Sequence, residues 1–140
     1  WYHRRLFAQL AKELIIQGDP ARAKKVLAYA EQAVPGYNVP ETYESGSYSI
    51  ATAYAALGEK MKAITLTEHL IAEAEDYINW AFSLKGNRME MVRNDCIYKF
   101  WQWNQCNELL KKVDEESYKE SNRRFEDKYA LFAPNMGYKN

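Results

Sequence analysis

Two cysteines, two histidines, four prolines and six glycines are all that this chain of 140 residues holds of those types. So few turn-forming residues argue against a turn-dense β architecture and against a disordered linker. Charge of one sign is also missing, because 19 Lys and Arg balance 19 Asp and Glu. A chain without a basic surplus is not built to hold nucleic acid. Long apolar runs are absent too. The longest, Ile50 to Leu57, is interrupted by Thr52 and Tyr54, whereas a membrane-spanning helix needs about 20 such residues. The chain starts at Trp1, with no initiator Met and no apolar signal core, and so reads as a piece of a longer polypeptide.

The scarce residues do not assemble into reactive sites. Cys96 and Cys106 lie ten residues apart on what reads as one helix. That is roughly 15 Å of rise, and a disulfide needs Cα atoms within about 7 Å. Neither an internal bridge nor a dithiol metal site is expected, and both thiols read as small buried hydrophobes. His3 and His69 lack any metal-ligand spacing. Ser45-Gly46-Ser47 lacks the Gly-x-Ser-x-Gly order of a nucleophile elbow. Glu41 and Glu44 sit in a polar loop, where solvation is expected rather than the raised pKa of a catalytic pair. No catalytic residue, metal or cofactor is expected, and the chain does not read as an enzyme.

What the chain does hold is aromatic residues, at 14%, with 11 Tyr and 4 Trp, together with a helical repeat. Phe7, Leu10-Ala11, Leu14, Gly18, Ala23, Leu27, Ala30 and Pro35 follow the tetratricopeptide pattern. Each slot has a physical reason. Ala11, Ala23 and Ala30 are small where two antiparallel helices approach closely. Gly18 stops the first helix, Asp19-Pro20 caps and starts the second, and Pro35 ends it. Ile50-Ala51, Tyr54, Gly58 and Ala63 repeat this spacing at an offset of 40, against roughly 34 in that repeat family. The extra residues fall in an insert over 35 to 47. After Ala63 the second copy degrades, with Thr67 and Leu70 in the apolar and Ala slots, so its second helix is expected to run on from Met61 to about Leu84. Lys85-Gly86-Asn87 is the next break. Met89, Val92, Cys96, Phe100, Trp103, Cys106, Leu110 and Val113 then mark a helical stripe. Ile97 and Trp101 add a second apolar edge, which predicts burial on two sides. A last helix is expected over Glu116 to Leu131.

The expected fold is therefore all-α, a tetratricopeptide-like α-α superhelix of about six antiparallel-paired helices in one domain. Its parts are repeat one over 4 to 35, the insert, repeat two over 47 to 84 and a C-terminal helix pair over 88 to 132. In such an array the first helix of each pair lines a groove. Arg5, Ala8, Lys12 and Ile15 would line it from the first copy, and Ser45, Tyr48, Thr52 and Ala55 from the second. Of these, Arg5, Lys12, Tyr48 and Thr52 are candidate partner-binding residues, with solvated helix surface as the competing reading. Gripping a partner's C-terminal carboxylate would need an Asn beside Lys12, and there is none. In the insert, Tyr37, Asn38 and Tyr43 are candidate ligand contacts, because rings with a polar edge cover flat sugar or peptide faces. The competing reading is that they pack the loop down.

Beyond the repeat, the segments HRRLFAQLAKELI and YNVPETYESGSYSIATAYAALG, with Trp80 and the Cys96-to-Trp103 region, carry a closer resemblance. The chain resembles the C-terminal soluble region of a family of bacterial multi-spanning membrane proteins. That family is classed as domain of unknown function 2723 and is similar to protein O-mannosyltransferases. The resemblance implies a membrane-bound, glycosyltransferase-like parent with this region on the periplasmic face of the inner membrane. It carries no catalytic residue onto this chain. The expected role is a non-catalytic interaction module for a protein partner or for its own membrane domain. The alternatives are a carbohydrate-binding accessory domain using Tyr37, Tyr43, Tyr48 and Trp80, or a free-standing tetratricopeptide adaptor; a small-molecule ligand is not expected. Arg4 and Arg5 beside Trp1 and Tyr2 also read as the aromatic-basic edge of a chain leaving a membrane interface, or as an ordinary helix start.

Overall fold

A computed structural model describes residues 2 to 36 and 39 to 136. The fold is all-α. Its helices are α1 (Tyr2–Ile16), α2 (Pro20–Ala33), α3 (Ser47–Ala56), α4 (Lys60–Phe82), α5 (Arg88–Met91), α6 (Arg93–Val113) and α7 (Glu115–Phe132). A 3-10 turn, Ala133–Met136, follows. No helix among the described residues is long and apolar enough to cross a membrane. The chain divides into two compact units, Trp1–Leu70 and Ile71–Asn140. The division falls inside α4, where the sequence has no break.

In the first unit the repeat spacing becomes repeat geometry at the turns. Gly18 N–H bonds to Ile15 O at 3.0 Å and Asp19 N–H to Leu14 O at 2.8 Å. Gly58 N–H bonds to Ala55 O at 3.1 Å and Glu59 N–H to Tyr54 O at 2.9 Å. Both glycines have positive φ, 81° and 76°. These are two Schellman turns with the same pair of bonds, 40 positions apart. Asp19 caps α2 by accepting from Arg22 N–H, with Pro20 in the first turn. Ala11, Ala23 and Ala30 are buried, as close helix approach requires. Arg4, near the start of α1, reaches Val34 O at the end of α2, so the two helices run antiparallel.

Several residues differ from the expected pattern. Leu10 is half exposed, and Ala8, expected to face a groove, is 1% exposed. Ala8 is interior because α1 packs on α3 as well as on α2. Thr67 takes an apolar slot and is fully buried, because its hydroxyl donates to Ala63 O within α4 at 2.6 Å. A hydroxyl satisfied by its own helix loses most of the cost of burial.

The second unit is built on aromatic rings. Phe100 and Trp103 on α6 are buried. Both meet Phe125 of α7 edge-on, at 5.7 and 5.5 Å between centroids, and Phe100 meets Phe132 at 5.1 Å. Arg124 pairs with Glu75 of α4 at 3.3 Å, and Lys128 Nζ donates to Asn79 Oδ1. A single residue, Asp114, separates α6 from α7 and caps α7 by accepting from the N–H and hydroxyl of Ser117. The expected stripe is the buried one, from Cys96 to Leu110. Its start differs, because Val92 N–H bonds to Met89 O at 3.2 Å and splits the short α5 from α6. The expected burial on two sides is not met. Ile97 and Trp101 are 41% and 47% exposed, because α7 covers only the opposite face. Cys96 and Cys106 are free and buried. Burial pushes their thiols up, to about 11 and about 12, with the neighbouring Asp95 adding to the effect at Cys96.

Candidate functional site

The site grows from Arg4. Its charge in the interior must be matched by acceptors, and the insert supplies them. Arg4 Nη1 donates to Pro40 O and Ser45 Oγ, both at 2.8 Å. Nη2 donates to Val34 O at 3.1 Å and to Val39 O. Burial lowers its pKa, and the charge of Glu41 opposes that. Arg4 is therefore a tie between α1 and the loop, and the reading of it as a membrane-interface residue does not hold for this side chain. Ser45 is part of the same knot. Its hydroxyl lies 2.9 Å from Pro40 O and accepts from Thr42 N–H at 3.0 Å, while Thr42 Oγ1 accepts from Ser45 N–H.

Gly46 closes the loop onto α1. Its φ is 93°, and a Cβ there would lie 2.9 Å from Arg5 Cγ and 3.0 Å from Arg5 N. Only glycine satisfies both the left-handed backbone and the contact. Arg5 is exposed and donates to Glu44 O at 3.2 Å.

Held this way, the loop forms one wall of a cleft of about 560 Å³. The floor is aliphatic: Leu27 and Ala30 of α2, and Ile50 of α3. Val34 and Pro35 continue it, and α4 adds Met61, Thr65, Leu66 and His69. Glu31, Glu41, Arg4, Lys62 and Tyr54 supply its polar groups. Tyr54 donates its hydroxyl to Glu31 Oε1. Lys62 pairs with the same carboxylate at 3.7 Å and stands over the Tyr54 ring at 5.3 Å. Burial first, and then the Glu31 carboxylate, raises the Tyr54 pKa, so the phenol stays a donor. The cleft is of ordinary size for a ligand site and mostly apolar with a few placed polar groups. Among the described residues no three His, Cys, Asp or Glu side chains gather as a metal ion would need.

Arg5, Lys12, Tyr48 and Thr52 are not among the residues lining this cleft. Lys12 is exposed, and Thr52 returns its hydroxyl to Ser49 O at 2.7 Å. Tyr43 of the loop and Tyr48 of α3 stack on each other at 4.9 Å, so each commits a ring face to the other. Tyr37 and Asn38 lie outside the described residues. Trp80, half exposed, belongs to the other unit. The residues that sequence reasoning missed are Glu31, Tyr54 and Lys62, and Glu41, read there as a solvated loop residue, is half buried in the cleft. Tyr54 filled a repeat slot, but nothing local marked Glu31 as its partner 23 positions earlier. No protein-family model, curated protein or solved structure matches the chain.

Proposed function

We propose that this chain is a non-catalytic, tetratricopeptide-like interaction module that receives a polypeptide segment in the cleft between α2 and α4. The observation that carries the reading is the cleft itself: an aliphatic floor of Leu27, Ala30 and Ile50 with polar groups at its edge, about 560 Å³ in all. Such a floor seats aliphatic side chains, and edge polar groups orient a backbone. The paired Schellman turns, 40 residues apart, support the repeat character. On the resemblance drawn from the sequence, the module would serve a membrane-bound glycosyltransferase-like protein on the periplasmic side. Its segment would then come from a protein partner or from that protein's own membrane domain.

The test is selection of a displayed random peptide library on the full chain, with a Thr65→Trp variant as counter-screen. Thr65 is exposed at the cleft, so the larger ring narrows the cleft without entering the core. Peptides that bind the wild type and weaken about tenfold on Thr65→Trp would support the reading. A library that yields no Thr65-sensitive binder overturns it. The carbohydrate reading rests on the Tyr43 and Tyr48 pair, and glycan titration of wild type against Tyr43→Ala decides it; equal or absent affinity dismisses it.

A further inference from the structure

We infer that the segment taken by the cleft is apolar and cationic: aliphatic side chains on the floor, with a Lys or Arg close by in sequence whose charge meets Glu41. The inference rests on the reading of the cleft as a peptide site and adds the chemistry of its occupant.

Of the Lys, Arg and Glu side chains that line the cleft, all but one are already committed. Arg4 directs four N–H groups at the carbonyls of Val34, Val39 and Pro40 and at the Ser45 hydroxyl. Lys62 is committed to Glu31 and to the Tyr54 ring. Glu31 receives both Lys62 and the Tyr54 hydroxyl. Glu41 is the odd group. It is half buried and lines the cleft, yet among the described residues it accepts no hydrogen bond and pairs with no cation within 4.0 Å. Arg4 feels its charge but spends those four donors elsewhere. A carboxylate partly removed from water and left with open acceptor positions is a receptor for a donor cation.

A cation preference set by Glu41 is opposite to that of a site for a C-terminal carboxylate.

The Thr65-sensitive peptides from the display selection are the material for the test. Enrichment of Lys or Arg within four residues of a Leu, Ile, Val or Met is expected among them. One such peptide is then synthesised with blocked ends in three forms, carrying Lys, Ser or Glu at the enriched position. Binding is read by fluorescence anisotropy against wild type, Glu41→Gln and Glu41→Asp. The Lys form should bind wild type about tenfold more tightly than the Ser form, and the Glu form most weakly. Glu41→Gln should erase the Lys preference, so that the Lys and Ser forms bind that variant alike, while Glu41→Asp should keep it. Thr65-sensitive binders without basic enrichment, or a Lys preference that survives Glu41→Gln, overturn this inference and leave the cleft reading standing. A selection that gives no Thr65-sensitive binder overturns both.

Discussion

The two units solve the same packing problem with different side chains. Trp1–Leu70 brings its helices together through Ala8, Ala11, Ala23 and Ala30. Ile71–Asn140 brings α6 and α7 together through Phe100, Trp103, Phe125 and Phe132. Small residues permit close backbone approach but fill little volume, so any helix that does not close in leaves space beside them. Rings fill that space themselves. The consequence is visible in the first unit, where a cleft opens between α2 and α4 and an arginine bonded to loop carbonyls does part of the work of a core. The difference teaches that a binding surface can arise from residues chosen for thinness elsewhere in the same unit.

Removing the largest ring tests the comparison most severely. Trp103→Ala should destabilise the chain by roughly 3–5 kcal/mol, read as a shift in the urea midpoint. A loss below about 1 kcal/mol would mean that the aromatic contacts do not make the second core. Arg4→Met comes next, at roughly 1–3 kcal/mol, because the part-buried carbonyls of Val34, Val39 and Pro40 lose their donor; unchanged stability would show that the loop holds without the tie. Ala23→Leu should overpack the α1 and α2 pair and cost about 1–3 kcal/mol. If its melting temperature does not move, the thin contact is not where the repeat register puts it. Asp114→Ala should cost about 1 kcal/mol through the lost cap on α7, and no change would leave the α6–α7 link to the rings alone.

The smallest expected signal is thiol labelling. Only the thiolate reacts, and burial holds Cys96 and Cys106 at about 11 and about 12. At pH 8 a thiol reagent should label the folded chain less than about a hundredth as fast as the denatured one. The linkage has one sign: the stability is fully present below the ordinary thiol pKa and is lost as pH rises through the raised values. Prompt labelling at pH 8 would show that the second unit opens far more often than an aromatic core allows.

Much of the fold was legible because helix ends are local chemistry. Gly18, Asp19-Pro20, Gly58 and Lys85-Gly86-Asn87 announced the breaks. The last helix, expected over Glu116 to Leu131, runs Glu115–Phe132. The split at Val92 was missed because its apolar side chain fits the stripe, and only the backbone shows the interruption. The cleft was not legible. Glu31 meets Tyr54 across 23 positions, and Arg4 meets Pro40 across 36. No period or spacing encodes such a meeting. Arg4 also carried a misleading local signal, since an arginine beside Trp1, Tyr2 and Arg5 reads as surface while its partners are main-chain carbonyls that every sequence possesses.

One detail of the second unit bears on how the chain avoids mistakes. The Ser121 hydroxyl accepts from Trp103 Nε1 at 2.8 Å and donates to Asn107 Oδ1 at 2.6 Å, and Asn107 Nδ2 is left without a partner. Ring contacts alone would tolerate α7 sliding by one turn along α6, because one aromatic surface resembles the next. The hydrogen-bonded triplet does not tolerate it, since a slip would leave Trp103 Nε1, Ser121 Oγ and Asn107 Oδ1 without partners in addition to Asn107 Nδ2. The triplet therefore acts as a proofreading device: it adds little holding strength, and it makes every misaligned pairing more expensive than the right one.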